Sequence, residues 1–401
     1  MNRDYLSSID PARFGAIIPT RRRIIESASP ELPRYEYNAN ILARTLHPEV
    51  QHVIVTDIKE LPGARLYTLK ADPEKGTEKL AYFMAGQYIS LELKIGDSLL
   101  TRPYSLCSSP KQALDGEYQI VVKTMKNGFA SEYINSTFEK GTKVDISAPS
   151  GFFWYEPLRD TRHVVGIAGG SGIAPFISFT KAIADGTEDF ELTLLYGSRT
   201  EQEILFKQEL DQLEKKCDKI HVIHVLSDQI KEGYRHGFIT AELISEAAGS
   251  DSSLFVCGSQ GMYDYIRKEA GKLNLPLKRL RFDAYGEYRL TQRDKEFLDQ
   301  HQGKTYQLTV ITNDGEIHTV AAKAEESILV AIERAGIKAP SKCRSGECGW
   351  CRSKLVCGEV YTPELVERRR EYDKLTGYIH ACCSFPRSNC KIEVNCEGFE
   401  R

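Results

Sequence analysis

The stretch Val164-Val165-Gly166-Ile167-Ala168-Gly169-Gly170-Ser171-Gly172-Ile173-Ala174-Pro175 runs from an apolar strand through a glycine turn into the start of a helix. Glycines at such a turn let a phosphate approach the backbone and the helix N-terminus, and Pro175 suits a first helical turn. One glycine-rich turn is weak evidence by itself. The chain after Arg162 supports it: apolar strands at 163–168, 190–196, 220–226 and 253–256 alternate with helix-like stretches at 203–215 and 261–273. That alternation predicts a doubly wound parallel sheet. Two more of its strands end in Tyr196-Gly197-Ser198-Arg199-Thr200 and Val256-Cys257-Gly258-Ser259-Gln260-Gly261-Met262, and carboxyl ends of strands are where open α/β sheets bind ligands.

Upstream, from Val50 to Tyr155, the pattern changes to short alternations separated by turn residues, such as His52-Val53-Ile54-Val55, Gln87-Tyr88-Ile89-Ser90-Leu91 and Lys143-Val144-Asp145-Ile146. That spacing predicts an antiparallel barrel. Arg102-Pro103-Tyr104-Ser105 follows one of its apolar strands. The arginine can neutralise a phosphate, the tyrosine offers a flat face to a ring, and the serine hydroxyl can hydrogen-bond a ring nitrogen. Without its surroundings such a corner could equally close a barrel strand. Lys123 lies on the next strand, and Gly128-Phe129-Ala130-Ser131 opens a helix-like run whose backbone N–H groups suit a pyrophosphate.

Downstream, residues 288–304 are almost all polar or charged and read as a linker. Tyr306-Gln307-Leu308-Thr309-Val310 and Ile317-His318-Thr319-Val320 form a hairpin around Asn313-Asp314-Gly315, and a helix spans 327–335. Cys343, Cys348 and Cys351 then follow as Cys-x4-Cys-x2-Cys, with Cys382 and Cys383 beyond. This is the spacing of plant-type iron–sulfur proteins, which use three thiolates on one loop and a distant fourth. Gly346 and Gly349 let backbone N–H groups turn toward the sulfurs. Structural zinc modules usually pair two close Cys-x2-Cys units, and only one stands here. Cys357, Cys390 and Cys396 fit no ligand spacing and read as small core residues.

The whole chain has 401 residues, a net charge of -3, 41% hydrophobic and 27% charged residues. This is a globular composition with room for two or three domains and no push toward nucleic acid. The longest apolar stretch, 163–179, is interrupted by four glycines and Pro175, so no membrane span is expected. Met1 to Tyr5 shows no secretory signal, and the eleven cysteines then point to a metal site or free thiols in a reducing, cytoplasmic setting. The first 34 residues mix basic and apolar side chains without a period and read as an extension wrapped on a later domain.

Residues 306–394 resemble a plant-type 2Fe-2S ferredoxin domain, as found at the C-terminus of class I oxygenase reductases. Arg102-Pro103-Tyr104-Ser105 resembles the Arg-x-Tyr-Ser motif of the ferredoxin-NADP reductase superfamily, and Cys257-Gly258 its nicotinamide-side motif. The resemblance implies 1–45 as an N-terminal extension, 46–157 as an antiparallel flavin-binding β-barrel, 158–287 as a doubly wound nucleotide domain, 288–304 as the linker and 305–401 as a β-grasp ferredoxin domain. It implies FAD, rather than the FMN of some relatives, at Arg102, Pro103, Tyr104, Ser105, Lys123, Gly128, Phe129, Ala130 and Ser131. It implies NADPH or NADH at Gly170, Ser171, Gly172, Ile173, Ala174, Pro175, Ser198, Arg199, Cys257 and Gly258, with Ser198-Arg199 leaning toward NADPH. Ser105 and Cys257 flank the hydride path. Cys343, Cys348, Cys351 and Cys382 hold the cluster, with Cys383 as the competing fourth ligand. The implied activity is that of an NAD(P)H-dependent reductase passing electrons to a protein partner, an oxygenase component or another redox enzyme. The alternatives are a stand-alone reductase of a small acceptor or soluble carrier, and a redox sensor. Arg368-Arg369-Arg370 is a candidate docking point for an acidic partner or a solvated face.

Overall fold

The structure is a computed structural model that describes residues 11–28, 37–125, 128–249, 251–273, 275–283 and 286–394. The chain divides into two units, Met1–Arg44 and Thr45–Arg401. In the first, α1 (Pro11–Ser27) is helical although its residues show no apolar period and Pro19 lies inside it; α2 (Asn38–Leu46) follows and reaches the boundary.

The second unit begins with β1 (Val50–Leu61), β2 (Ala64–Ala71), β3 (Tyr88–Ile95), β4 (Ser98–Ser105), α3 (Pro110–Leu114), β5 (Tyr118–Lys123), α4 (Phe129–Thr137) and β6 (Lys143–Ser147). The antiparallel sheet has the order β4-β3-β6-β1-β2-β5, and its edges meet at a bridge between Leu106 and Ile120, so it curls into the expected barrel. Alternate residues point inward: Val53 and Val55, Ile89 and Leu91, Ile120 and Val122, Val144 and Ile146 share one core.

Next come β7 (His163–Gly169), α5 (Ala174–Ala184), β8 (Glu191–Ser198), α6 (Lys207–Lys216), β9 (Ile220–Leu226), β10 (Arg235–His236), α7 (Ala241–Ala248), β11 (Ser253–Cys257), α8 (Gln260–Ala270) and β12 (Leu280–Phe282). Their sheet is parallel throughout, in the order β10-β9-β8-β7-β11-β12. The strand order reverses beside β7, which opens a crevice at the carboxyl ends of β7 and β11. Phe153, at the end of the barrel, packs on Phe176, Phe179 and Phe255 with ring centroids 5.8, 6.0 and 5.1 Å away. Arg281, buried, donates to the carbonyls of Phe152 and Trp154 and pairs with Asp160 at 2.7 Å. Barrel and parallel sheet are therefore joined by both apolar and ionic contacts.

The segment read as a linker is ordered. It carries α9 (Lys295–His301), introduced by a capping box at Thr291 and Asp294. Tyr288 and Phe297 are buried against Phe385 and Ala324, and the Phe297 ring stacks on Tyr361 at 4.6 Å. Two aromatics among polar neighbours are too few to show a period, so composition alone concealed the packing. The last module comprises β13 (Thr305–Ile311), β14 (Ile317–Lys323), α10 (Ile328–Arg334), β15 (Arg352–Cys357), β16 (Val360–Tyr361), α11 (Glu371–Leu375), β17 (Tyr378–His380), β18 (Phe385–Pro386) and β19 (Cys390–Val394). Its mixed sheet, β14-β13-β19-β15-β17, buries Leu308, Val310 and Ile392 with Leu329 and Ile332 of α10, which is the β-grasp arrangement. Cys396 lies outside the described residues.

Candidate functional site

At the sheet switch a crevice of about 710 Å³ is lined by Lys123, Gly170, Ser171, Ser198, Arg199, Gly258 and Met262, among others. Four sequence features far apart in the chain thus meet. Gly170 has a left-handed φ of 55°, and its carbonyl accepts the Tyr196 hydroxyl at 3.1 Å. A Cβ at Gly172 would lie 2.3 Å from the Cys257 carbonyl oxygen, so this close approach of turn and strand end requires glycine. Gly172, Ile173, Ala174 and Pro175 are buried, and the turn passes through one 3₁₀ turn before α5 begins. Arg199 is engaged by Glu203 at 2.9 Å, and Glu203 lines the same crevice.

On the barrel side, Pro103 and Ser105 are buried while Arg102 and Tyr104 remain partly exposed. Burial is the first reason that the Tyr104 phenol is pushed above its usual range. Gly128 caps α4; the Ser131 hydroxyl accepts from the Met125 N–H at 3.2 Å and donates to the Gly128 carbonyl, Phe129 is exposed, and Ala130 joins the barrel core. Ser131 therefore shapes this turn.

The cysteine loop is strapped to the barrel and to the segment after β12. Ser90 Oγ donates to the Lys342 carbonyl at 3.3 Å, Thr101 bonds Ser341, and the Gly286 N–H donates to the Cys343 carbonyl at 2.9 Å. Left-handed backbone at Arg344, Gly346 and Gly349 wraps the loop so that N–H groups point inward. Ser345 and Cys348 N–H groups reach Cys343 Sγ at 3.5 and 3.3 Å, and the Trp350 N–H reaches Cys348 Sγ at 3.4 Å. The Cys348 thiol, and then the surrounding hydrogen-bond donors, hold Cys343 down at about 5 against its burial. Cys348 is raised by Cys343, and Cys351 by Cys382, each with burial adding to it. Among the described residues no three His, Cys, Asp or Glu side chains converge as ligands of one ion. Two pairs, Cys343 with Cys348 and Cys351 with Cys382, instead suit a cluster of two irons that takes two thiolates on each. The Cys383 thiol turns to the carbonyls of Val366 and His380, 3.6 Å from each. Arg368 pairs with Glu347 and Arg369 with Glu367, so little of that arginine run is left without a partner charge.

Two residues at the junction escaped the sequence reading. Asp283, next after β12, is buried, and Cys257 Sγ lies 3.9 Å from its carboxylate. Burial, and then the charges of Cys343 and Glu347, push its carboxyl well above the usual range, which favours its neutral form. Tyr88, paired with Ser105 across β3 and β4, has its phenol pushed far up by burial and then by Cys343, Cys348 and Asp283. The only hint of Asp283 in sequence is an acid at the end of a short apolar strand.

Residues 53–155 match the oxidoreductase FAD-binding domain, 167–268 the oxidoreductase NAD-binding domain, and 311–387 the 2Fe-2S iron–sulfur cluster binding domain. The ferredoxin reductase component of 3-ketosteroid-9-alpha-monooxygenase from Mycobacterium tuberculosis is 29% identical over 330 residues, which covers 80% of this chain and 87% of that protein. NADH-cytochrome b5 reductase 1 of Candida glabrata is 34% identical over 198 residues, 48% of this chain and 68% of that protein. The fold of phthalate dioxygenase reductase superposes with a TM-score of 0.61 at 22% identity, over 86% of this chain and 98% of that one. With these three modules in this order, the chain belongs to the ferredoxin-NADP reductase superfamily and carries a C-terminal 2Fe-2S ferredoxin domain.

Proposed function

We propose that the chain is the reductase component of a multicomponent system and delivers electrons from a nicotinamide nucleotide, one at a time, to a separate redox protein. An oxygenase component is the acceptor that the relatives' names support. The chain itself is an NAD(P)H-dependent oxidoreductase with FAD and a 2Fe-2S cluster as its carriers. The observation that carries the reading is the meeting of the three modules: Cys257 at the nucleotide strand end lies 3.9 Å from the buried Asp283, the Gly286 N–H just beyond it donates to the Cys343 carbonyl, and Ser90 and Thr101 of the barrel bond Lys342 and Ser341. When bound, the flavin supplies the conversion between a hydride's electron pair and the single electrons that an iron–sulfur centre accepts.

In this reading Arg102 neutralises the flavin phosphate, Tyr104 offers its face to the ring system and Ser105 a hydroxyl. Pro103 sets the corner between them, and Lys123 with the α4 turn from Gly128 to Ser131 adds positive character for the pyrophosphate. The turn from Gly170 to Pro175 approaches the nucleotide phosphates, and Cys257-Gly258 borders the nicotinamide. Burial favours the neutral form of Asp283 beside Cys257, which limits bare charge near the hydride path. Cys343, Cys348, Cys351 and Cys382 ligate the irons, and Cys383 stays a thiol. Because Glu203 balances Arg199, the crevice offers little net positive charge to a 2′-phosphate, and we favour NADH over the NADPH lean of the sequence. No described helix is long and apolar enough to cross a membrane, in keeping with a cytoplasmic reductase.

Anaerobic purification with metal and flavin analysis tests this. The expectation is about two irons and one FAD per chain, both bleached by NADH. Cys348→Ser should lose the iron and keep the FAD, while Cys383→Ser should keep both. Zinc in place of iron, or a protein that takes up no flavin, overturns the reading.

A further inference from the structure

Arg344 follows the first cysteine of the cluster loop and heads the largest fully buried side chains of the protein. Its guanidinium lies between two carboxylates, with Nη1 at 2.5 Å from Glu333 and Nη2 on Glu287. Arg102, the arginine of the barrel motif, reaches the same two: Nη2 is 3.0 Å from Glu287 and Nη1 is 3.7 Å from Glu333. Arg344 does this from a left-handed backbone, φ 61°, which residues other than glycine rarely adopt. Two arginines and two glutamates thus come together from β4, the turn after β12, α10 and the cysteine loop. A buried ionic cluster is a weak source of net stability, because desolvation of the charges offsets their attraction. Its arrangement is better suited to setting how one segment sits on another.

We propose that Arg344 is a positioning residue that couples docking of the cluster loop to retention of the flavin, through the carboxylates of Glu287 and Glu333. The proposal rests on the reading that Arg102 meets the flavin phosphate. A phosphate at Arg102 competes with both carboxylates for the guanidinium donors. Arg344 supplies the second positive charge, so the carboxylates stay balanced when Arg102 turns to the phosphate. Without Arg344 both carboxylates draw on Arg102, and the phosphate loses its partner. The coupling is reciprocal: a phosphate on Arg102 leaves Glu287 and Glu333 to Arg344 and tightens the hold on the loop that carries Cys343.

The test uses the full chain. Flavin and iron content of the unsubstituted protein comes first, and absence of either defeats the reading on which the proposal rests, independently of Arg344. In Arg344→Gln the iron content and the circular dichroism of the cluster should persist, while the FAD dissociation constant from fluorescence titration rises about tenfold. Arg344→Lys should recover part of that loss. Adding Glu287→Gln to Arg344→Gln removes a competitor for Arg102 and should restore FAD affinity, a rescue that simple structural damage would not give. Unchanged affinity in Arg344→Gln, or no recovery in the double variant, overturns the proposal. Should Arg344→Gln fail to fold, Glu287→Gln alone reads the coupling from the other side: tighter FAD binding supports it and weaker binding overturns it.

Discussion

Glu203 stands four residues beyond Arg199 and holds its guanidinium, so the charge on offer to a nucleotide belongs to the pair. Glu203→Thr frees the arginine and removes a carboxylate that would repel a 2′-phosphate. The ratio of kcat/KM for NADPH to that for NADH should rise by about tenfold, checked by steady-state assays with both nucleotides. Asp283 invites a different measurement. Its folded-state carboxyl titrates well above the roughly 3.9 of an unfolded aspartate, because of its burial and then the charges of Cys343 and Glu347. Its neutral form is therefore favoured by folding, and stability falls as pH rises from about 4 toward the folded-state value. Asp283→Asn should remove that fall: relative to the unsubstituted protein, the variant gains stability with rising pH in denaturant titrations. A constant difference across the pH range would show that Asp283 is not held protonated. Asp283 could not be singled out among the 56 acidic residues of the sequence, since only folding makes it the neighbour of Cys257, whereas Glu203 is brought onto Arg199 by the local 3₁₀ turn at Glu201–Glu203.

The elements were more legible than their junctions. A strand–glycine–helix run can be read locally, because apolar periodicity and glycine's conformational freedom act over a few residues. The need for Gly172 in particular comes from β11, which places the Cys257 carbonyl where a Cβ would stand. Gly172→Ala should push the turn away from β11, cost about 1–3 kcal/mol in stability, and weaken NADH binding measured by titration. Wild-type affinity would mean that the turn can shift without consequence. The Cys-x4-Cys-x2-Cys loop was also legible. Its fourth member was open between Cys382 and Cys383; Cys382 lies beside both Cys351 and Cys383, and Cys383 also faces carbonyl oxygens, which is the ground on which we propose Cys382. The α9 segment went unseen because its buried aromatic, Phe297, packs against residues far along the chain, Tyr361 and Phe385.

Across the whole molecule, function depends on how the modules of the second unit are held together. Arg281 does this for barrel and nucleotide sheet: it is buried, lies over the Phe255 ring with its Cζ 4.8 Å from the centroid, and balances the buried Asp160. Arg281→Ala would leave Asp160 without that cation and should cost about 3–5 kcal/mol, seen as a lowered Tm of the full chain. A loss below about 1 kcal/mol would show that the aromatic cluster around Phe153 suffices by itself. The amino-acid sequence alone determined the order of the three modules and the type of the first two sheets, since periodicity, turn chemistry and ligand spacing are local properties of the chain; the β-grasp sheet was implied by the family resemblance. Only the tertiary structure decided which distant charges share a site: Asp283 beside Cys257, and Glu287 and Glu333 between Arg102 and Arg344. Those pairings arise from segments that meet after folding, and electrostatic effects depend on distance and burial that a sequence does not state.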